Sequence, residues 1–167
     1  HFKITHRRQE SRPDKRFMLQ HDRVREHSPE KFNERIDRAT QRRVLRAGGE
    51  SKAALSRRLE QLDAEWDMER VLETNASALA LGGVLLGLLV NKKFFIIPCF
   101  VLPFLLQHAL QGWCPPVPMF RSRGVRTRKE IDNEKFAVKA LRGDFAGINP
   151  ESDPNERARA AWNAANK

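Results

Sequence analysis

Between Thr74 and Phe120 the only Lys, Arg, Asp or Glu side chains are Lys92 and Lys93. They split the block into 18 uncharged residues from Thr74 to Asn91 and 27 from Phe94 to Phe120. Each run reaches the roughly 18 to 20 residues that a helix needs to cross a bilayer. Asn91-Lys92-Lys93 leaves room only for a tight turn, so the pattern predicts a helical hairpin that enters and leaves on one side. A buried hairpin in a water-soluble protein is disfavoured, because the flanking arms offer too few apolar residues to wrap two such helices. A signal peptide fits worse: residues 1–30 are dense in charge and hold no apolar core.

The rest of the charge lies in the arms. Residues 1–74 hold 18 basic and 14 acidic side chains, and residues 121–167 hold 11 and 7. Basic residues near the helix ends set orientation. Arg57, Arg58 and Arg70 precede the first span, and Arg121, Arg123, Arg126, Arg128 and Lys129 follow the second, against the two lysines of the turn. Both termini are therefore expected in the cytoplasm, although the turn lysines are a countersignal. The fold class expected is an all-α membrane protein, a two-helix transmembrane hairpin with helical, partly extended cytoplasmic arms. Its parts are an extended basic tail (1–27), cytoplasmic helices (28–73), the hairpin (74–116, with spans at about 74–91 and 94–113) and a basic C-terminal arm (117–167).

In the first arm, Ser28-Pro29-Glu30 predicts a helix start with Ser28 as cap, and Gly48-Gly49 an end. A second helix is expected after Ser51, with Leu55, Leu59, Leu62 and Trp66 in a narrow stripe. That stripe has three possible partners: the first helix, a second copy, or a neighbouring protein. Residues 1–27 show no period and read as a tail ordered only on binding. At the other end, a short helix from Asn155 carries Trp162 as a candidate partner anchor. Glu130, Asp132 and Glu134, among Lys129 and Lys135, read as a solvated helix face.

In the first span, Ala76, Ala80, Gly83 and Gly87 form a small-residue face, which in lipid lets helix backbones approach closely. It serves either the hairpin's own second helix, the tethered and favoured partner, or another chain. The second span contains Pro98 and Pro103 and should be kinked, and Gly112-Trp113-Cys114-Pro115-Pro116 should end it. His108, about one turn from Trp113, is either an interfacial hydrogen-bonding group or a haem or metal ligand. No second His or Cys stands at ligand spacing on either span. Cys99 and Cys114 are 15 residues apart on one helix, too far to pair.

The run from Val101 to Pro116, ending in Gly112-Trp113-Cys114-Pro115, resembles the YgaP-like inner-membrane domain, a two-helix hairpin found alone or fused to rhodanese sulfurtransferases. The likeness covers about residues 68–124. It implies a bacterial inner-membrane hairpin able to self-associate, and it brings no reaction. Catalysis in the fused members belongs to a rhodanese domain with a loop cysteine, which this chain does not contain.

Three functions follow. The first is a non-catalytic accessory or structural subunit of a larger inner-membrane complex, with the hairpin as anchor and the arms docking on other membrane subunits or on copies of the chain. Leu55, Leu59, Leu62, Trp66 and Trp162 are the expected docking residues. The second is a thiol or persulfide carrier, or a redox sensor, using Cys114. The third is a self-associating hairpin gripping anionic lipid through Arg121, Arg123, Arg126, Arg128 and Lys129. Nucleic acid is disfavoured, because acids are interleaved through both arms. No phosphate loop, catalytic triad, zinc spacing or cofactor motif is visible, so the chain reads as no enzyme and as carrying no cofactor.

Overall fold

Helix starts in this protein follow its short polar side chains. A computed structural model describes residues 22–166, and within them every regular element is helical. A single short turn, α1 (Arg23–Glu26), is capped by Asp22. It leads into α2 (Glu30–Ala47), which ends at Gly48 as the sequence predicts. Ser28 does not cap α2, however; its hydroxyl donates to the carbonyl of Val24 at 2.6 Å, and Pro29 occupies the cap position. Ser51 does cap α3 (Lys52–Ala64) by accepting from the Ala54 N–H, and Asp67 caps α4 (Met68–Leu89) in the same way. A 3₁₀ turn (Lys92–Phe95), started by Asn91, leads to α5 (Ile96–Gln111). Three further helices follow: α6 (Val117–Ser122), α7 (Arg128–Arg142) and α8 (Pro154–Ala165).

α4 and α5 lie side by side as the expected hairpin. The small residues face the second helix. A Cβ on Gly83 would lie 2.6 Å from Pro98 Cδ and 2.8 Å from Ile97 Cβ, and one on Gly87 would lie 3.0 Å from the Phe95 ring. Ala76 and Ala80 continue this half-buried face. α5 begins at Ile96, so Pro98 falls in its first turn, where a missing N–H leaves no helical bond unmade. Only Pro103 is interior to the helix. The first helix is also longer than its uncharged run, for α4 starts at Met68, six residues before Thr74.

Beneath the hairpin the described parts of the two arms fold together as helices. Leu55, Leu59 and Leu62 are buried against Ile131 and Val138 of α7, with Ala47 at the edge. The leucine stripe is therefore packed on the chain's own C-terminal arm, with Ala47 of the first helix at its edge. Each such side chain contributes about 1.5–3 kcal/mol of burial. A second core joins Met68 and Leu72 at the foot of α4 to Cys114, Val117 and Val24. Val24 belongs to the segment read as tail: residues 22–27 are ordered and packed, while residues 1–21 of that tail lie outside the described residues.

Gly112 is the corner on which this base turns. Its φ of +74° is left-handed, which glycine adopts without steric cost. A Cβ there would also lie 2.3 Å from Arg23 Cβ and 2.8 Å from its carbonyl carbon. Arg23 reaches over this corner and donates to the carbonyls of Ala109 (2.8 Å) and Leu110 (3.1 Å), two of the acceptors that the end of α5 leaves open.

Candidate functional site

Two surfaces carry the chemistry of this protein, and they meet at the foot of α4. The upper one is the outside of the hairpin. Leu81 (61% exposed), Leu88 (69%), Phe100 (62%) and Leu106 (61%) stand on it without partners, and Cys99 is exposed there too. The most apolar stretches of the two hairpin arms are only 17% and 11% buried within the chain. Both arms are long and apolar enough to cross a membrane. The core helix of a soluble protein would bury most of such a face.

The lower surface is a set of arginines folded onto two glutamates. Glu130 accepts two hydrogen bonds from the Arg121 guanidinium (2.7 and 2.8 Å), one from Arg25 (2.8 Å) and one from the Thr127 N–H (3.0 Å). Arg121, fully buried, also donates to Asn33 Oδ1 (2.6 Å) and to the Val125 carbonyl (3.1 Å). One turn along α7, Glu134 is 1% exposed and receives Arg43 (3.0 Å), Arg58 and Arg126. Arg126 divides its nitrogens between Glu134 and Glu65. Burial pushes the carboxyls of Glu130 and Glu134 up, but the arginine hydrogen bonds and charges outweigh it and hold both below the usual carboxylate range. Burial likewise pushes the Arg126 guanidinium down, and its bonds to Glu65 and Glu134 more than restore it.

This arrangement corrects two expectations. Arg121 and Arg126 were assigned to lipid headgroups, yet both are buried and committed to carboxylates. Arg128 pairs with Asp132, Lys129 is half-buried, and Arg123 is the exposed member of the run. Glu130 and Glu134, read as a solvated face, are instead the acceptors at the centre of the base. Two signals marked them. Thr127-x-x-Glu130 has the spacing of a capping box, and the box forms: the Thr127 hydroxyl accepts from the Glu130 N–H while the Glu130 carboxylate accepts from the Thr127 N–H. Glu134 falls between Ile131 and Val138 at spacings of three and four, within the apolar stripe of α7.

Cys114 is 6% exposed among Val24, Met68, Leu72 and Val117, and burial pushes its thiol pKa up. That is the opposite of what an activated thiolate needs. The Arg121 charge, which would lower it, is paired with Glu130. His108 is buried at the end of α5, and its Nδ1 has no hydrogen-bond partner among the described residues. Among the described residues no three His, Cys, Asp or Glu side chains gather closely enough to hold a metal ion. Trp66 is half exposed with Arg70 stacked 4.3 Å from its ring centre, and Trp162 is 71% exposed. Of the five expected docking residues, only these two remain on the surface.

No protein-family model, curated protein or solved structure matches this chain.

Proposed function

We propose that this protein is a non-catalytic integral membrane anchor of the bacterial inner membrane, whose hairpin inserts from the cytoplasmic side and whose helical base serves as an accessory subunit of a larger membrane complex. The observation that carries the reading is the contrast at Met68. Above it the chain exposes leucine and phenylalanine; below it the chain buries arginine and glutamate only where each is paired. A surface of unpartnered apolar side chains that long calls for hydrocarbon around it. The likeness of Gly112-Trp113-Cys114-Pro115 to the YgaP-like hairpin supports the same reading, with its residues acting in the fold. Gly112 makes the turn under Arg23, and Cys114 packs in the core below. Exposed Trp66 and Trp162 are the sites offered to partner subunits.

The test is extraction. The full chain should stay with the membrane pellet at alkaline pH and require detergent for release, and a C-terminal tag should bring down other membrane proteins in mild detergent. Release by alkali alone would sink the anchor reading. Recovery of the chain alone would leave it an anchor without a complex.

A further inference from the structure

A cavity of about 440 Å³ lies on the base, between α2, α3 and the chain around Gly124. Four arginines line it, Arg35, Arg43, Arg58 and Arg126, with Glu65 as the one acid in its wall. Three of these guanidiniums, those of Arg43, Arg58 and Arg126, converge on Glu134, and Arg126 also meets Glu65. The fourth, Arg35, makes its hydrogen bonds to the backbone carbonyls of Arg121 and Ser122, which carry no charge. Four positive charges thus face two negative ones. Arg43 uses Nε for Glu134 and one terminal nitrogen for Thr40, so its other terminal nitrogen is not engaged by either.

A concave site walled by protein concentrates such a surplus of charge. Planar guanidinium forks suit oxyanions with several oxygens better than a spherical ion such as chloride. The groove is also tied to the foot of the hairpin: the N–H of Met68, first residue of α4, donates to the Arg126 carbonyl at 2.9 Å. From there to Thr74 is about 9 Å along a helix.

We propose that this groove is a binding site for a terminal phosphate, either free in solution or on a phosphomonoester lipid headgroup, held by Arg35 and Arg43. The lipid source rests on the membrane-anchor reading above; the free source does not. Arg58 and Arg126 are the floor of the site, since the bonds of Arg58 are taken by Glu134 and Gln61 and those of Arg126 by Glu65 and Glu134.

The experiment uses the full chain in mild detergent, titrated with inorganic phosphate against chloride at matched ionic strength and read by calorimetry and thermal shift. A second arm places the protein in nanodiscs of phosphatidylcholine doped with phosphatidic acid or with phosphatidylglycerol. Phosphate should bind and chloride should not, or phosphatidic acid should protect the base and phosphatidylglycerol should not; which arm responds identifies the source. Arg35→Gln, which leaves every carboxylate pair intact, should weaken binding by about tenfold, the loss of a hydrogen bond to a charged group. Arg43→Gln should weaken it similarly. Glu65→Gln should tighten it severalfold, an effect that a purely structural role for these residues would not produce. The proposal is overturned if phosphate does no more than chloride and phosphatidic acid no more than phosphatidylcholine, or if phosphate does no more than chloride while phosphatidylglycerol protects the base as strongly as phosphatidic acid does. Because the phosphate titration needs no bilayer, a chain that fails to insert leaves it interpretable.

Discussion

The hairpin and the base are built from the same helix, α4, yet they are held together by opposite means. In the hairpin the contact is made of absent side chains: Gly83 and Gly87 let Pro98, Ile97 and Phe95 come within van der Waals distance, and there are almost no polar groups to satisfy. In the base, beside its apolar clusters, the contact is made of long charged side chains, with Arg43, Arg121 and Arg126 turned inward onto carboxylates. The difference teaches what each environment tolerates. With hydrocarbon around the hairpin, as proposed, apolar side chains would gain nothing by meeting one another, and close backbone approach would decide. Where water is the solvent, burying an arginine is tolerable only with its carboxylate, and burying the carboxylate only with its arginines.

The sharpest way to break the base alone is to remove Glu134. Glu134→Ala takes the carboxylate from Arg43 and Arg58 and leaves Arg126 only Glu65, and it should cost about 3–5 kcal/mol, seen as a large fall in Tm of the base with the hairpin still helical by circular dichroism. A loss below 1 kcal/mol would mean that the three arginines find solvent without help. Acid should act on the same groups. Because Glu130 and Glu134 titrate below their ordinary values in the fold, the stability they confer is complete above the usual carboxylate pKa and is lost as pH falls through the depressed one. Thermal melts between pH 7 and pH 3 should show the base weakening only below about pH 4.5, and a base indifferent to that range would contradict the pairing.

The hairpin answers to different perturbations. Leu85→Arg, on the exposed face of α4, should cost about 2.5–3.5 kcal/mol of insertion and increase the fraction released by alkali. The same change on a water-facing helix would do nothing, so a null result would move the hairpin out of the bilayer. Gly83→Val should pry the helices apart at a cost of about 1–3 kcal/mol, because Pro98 Cδ and Ile97 Cβ leave no room. Its neighbour supplies the control: a Cβ at Gly82 meets nothing within 4 Å, and Gly82→Ala should be neutral or slightly stabilising by thermal melt in detergent. If the two glycines behaved alike, close packing would not be what joins α4 to α5. Last comes Glu34→Gln, which removes an exposed pair with Arg38 at 3.5 Å. It should change stability by less than about 0.5 kcal/mol, and a larger effect would mean that surface pairs matter here as much as buried ones.

The hairpin was legible in the sequence because it depends on quantities a single segment contains: 18 and 27 uncharged residues, a two-lysine interruption, and small residues at helical spacing. Most boundaries were legible for the same reason, since Ser51 at one start and Gly48 and Gly112 at two ends each act within a few residues of themselves. Ser28 shows the limit of that logic. It is a good cap by type, but its hydroxyl is used by the Val24 carbonyl, and α2 starts without a side-chain cap.

The composition and spacing of the chain by themselves determined that its hairpin and flanking segments are helical, that it doubles back at Lys92-Lys93, and that leucines stripe one face of α3. They did not determine which charges would be wet. Arg121 and Arg123 differ by two positions in one basic run, yet one is sealed against Glu130 and the other is exposed. Only the tertiary structure decided that, because the fate of a charge is set by what stands opposite it. Here the opposing groups come from far along the chain: Arg25 meets Glu130 across 105 positions and Arg43 meets Glu134 across 91. Caps and hydrophobic runs act over one or two turns and can be read in place, whereas the cost of burying an ion is offset only by a partner that folding brings to it.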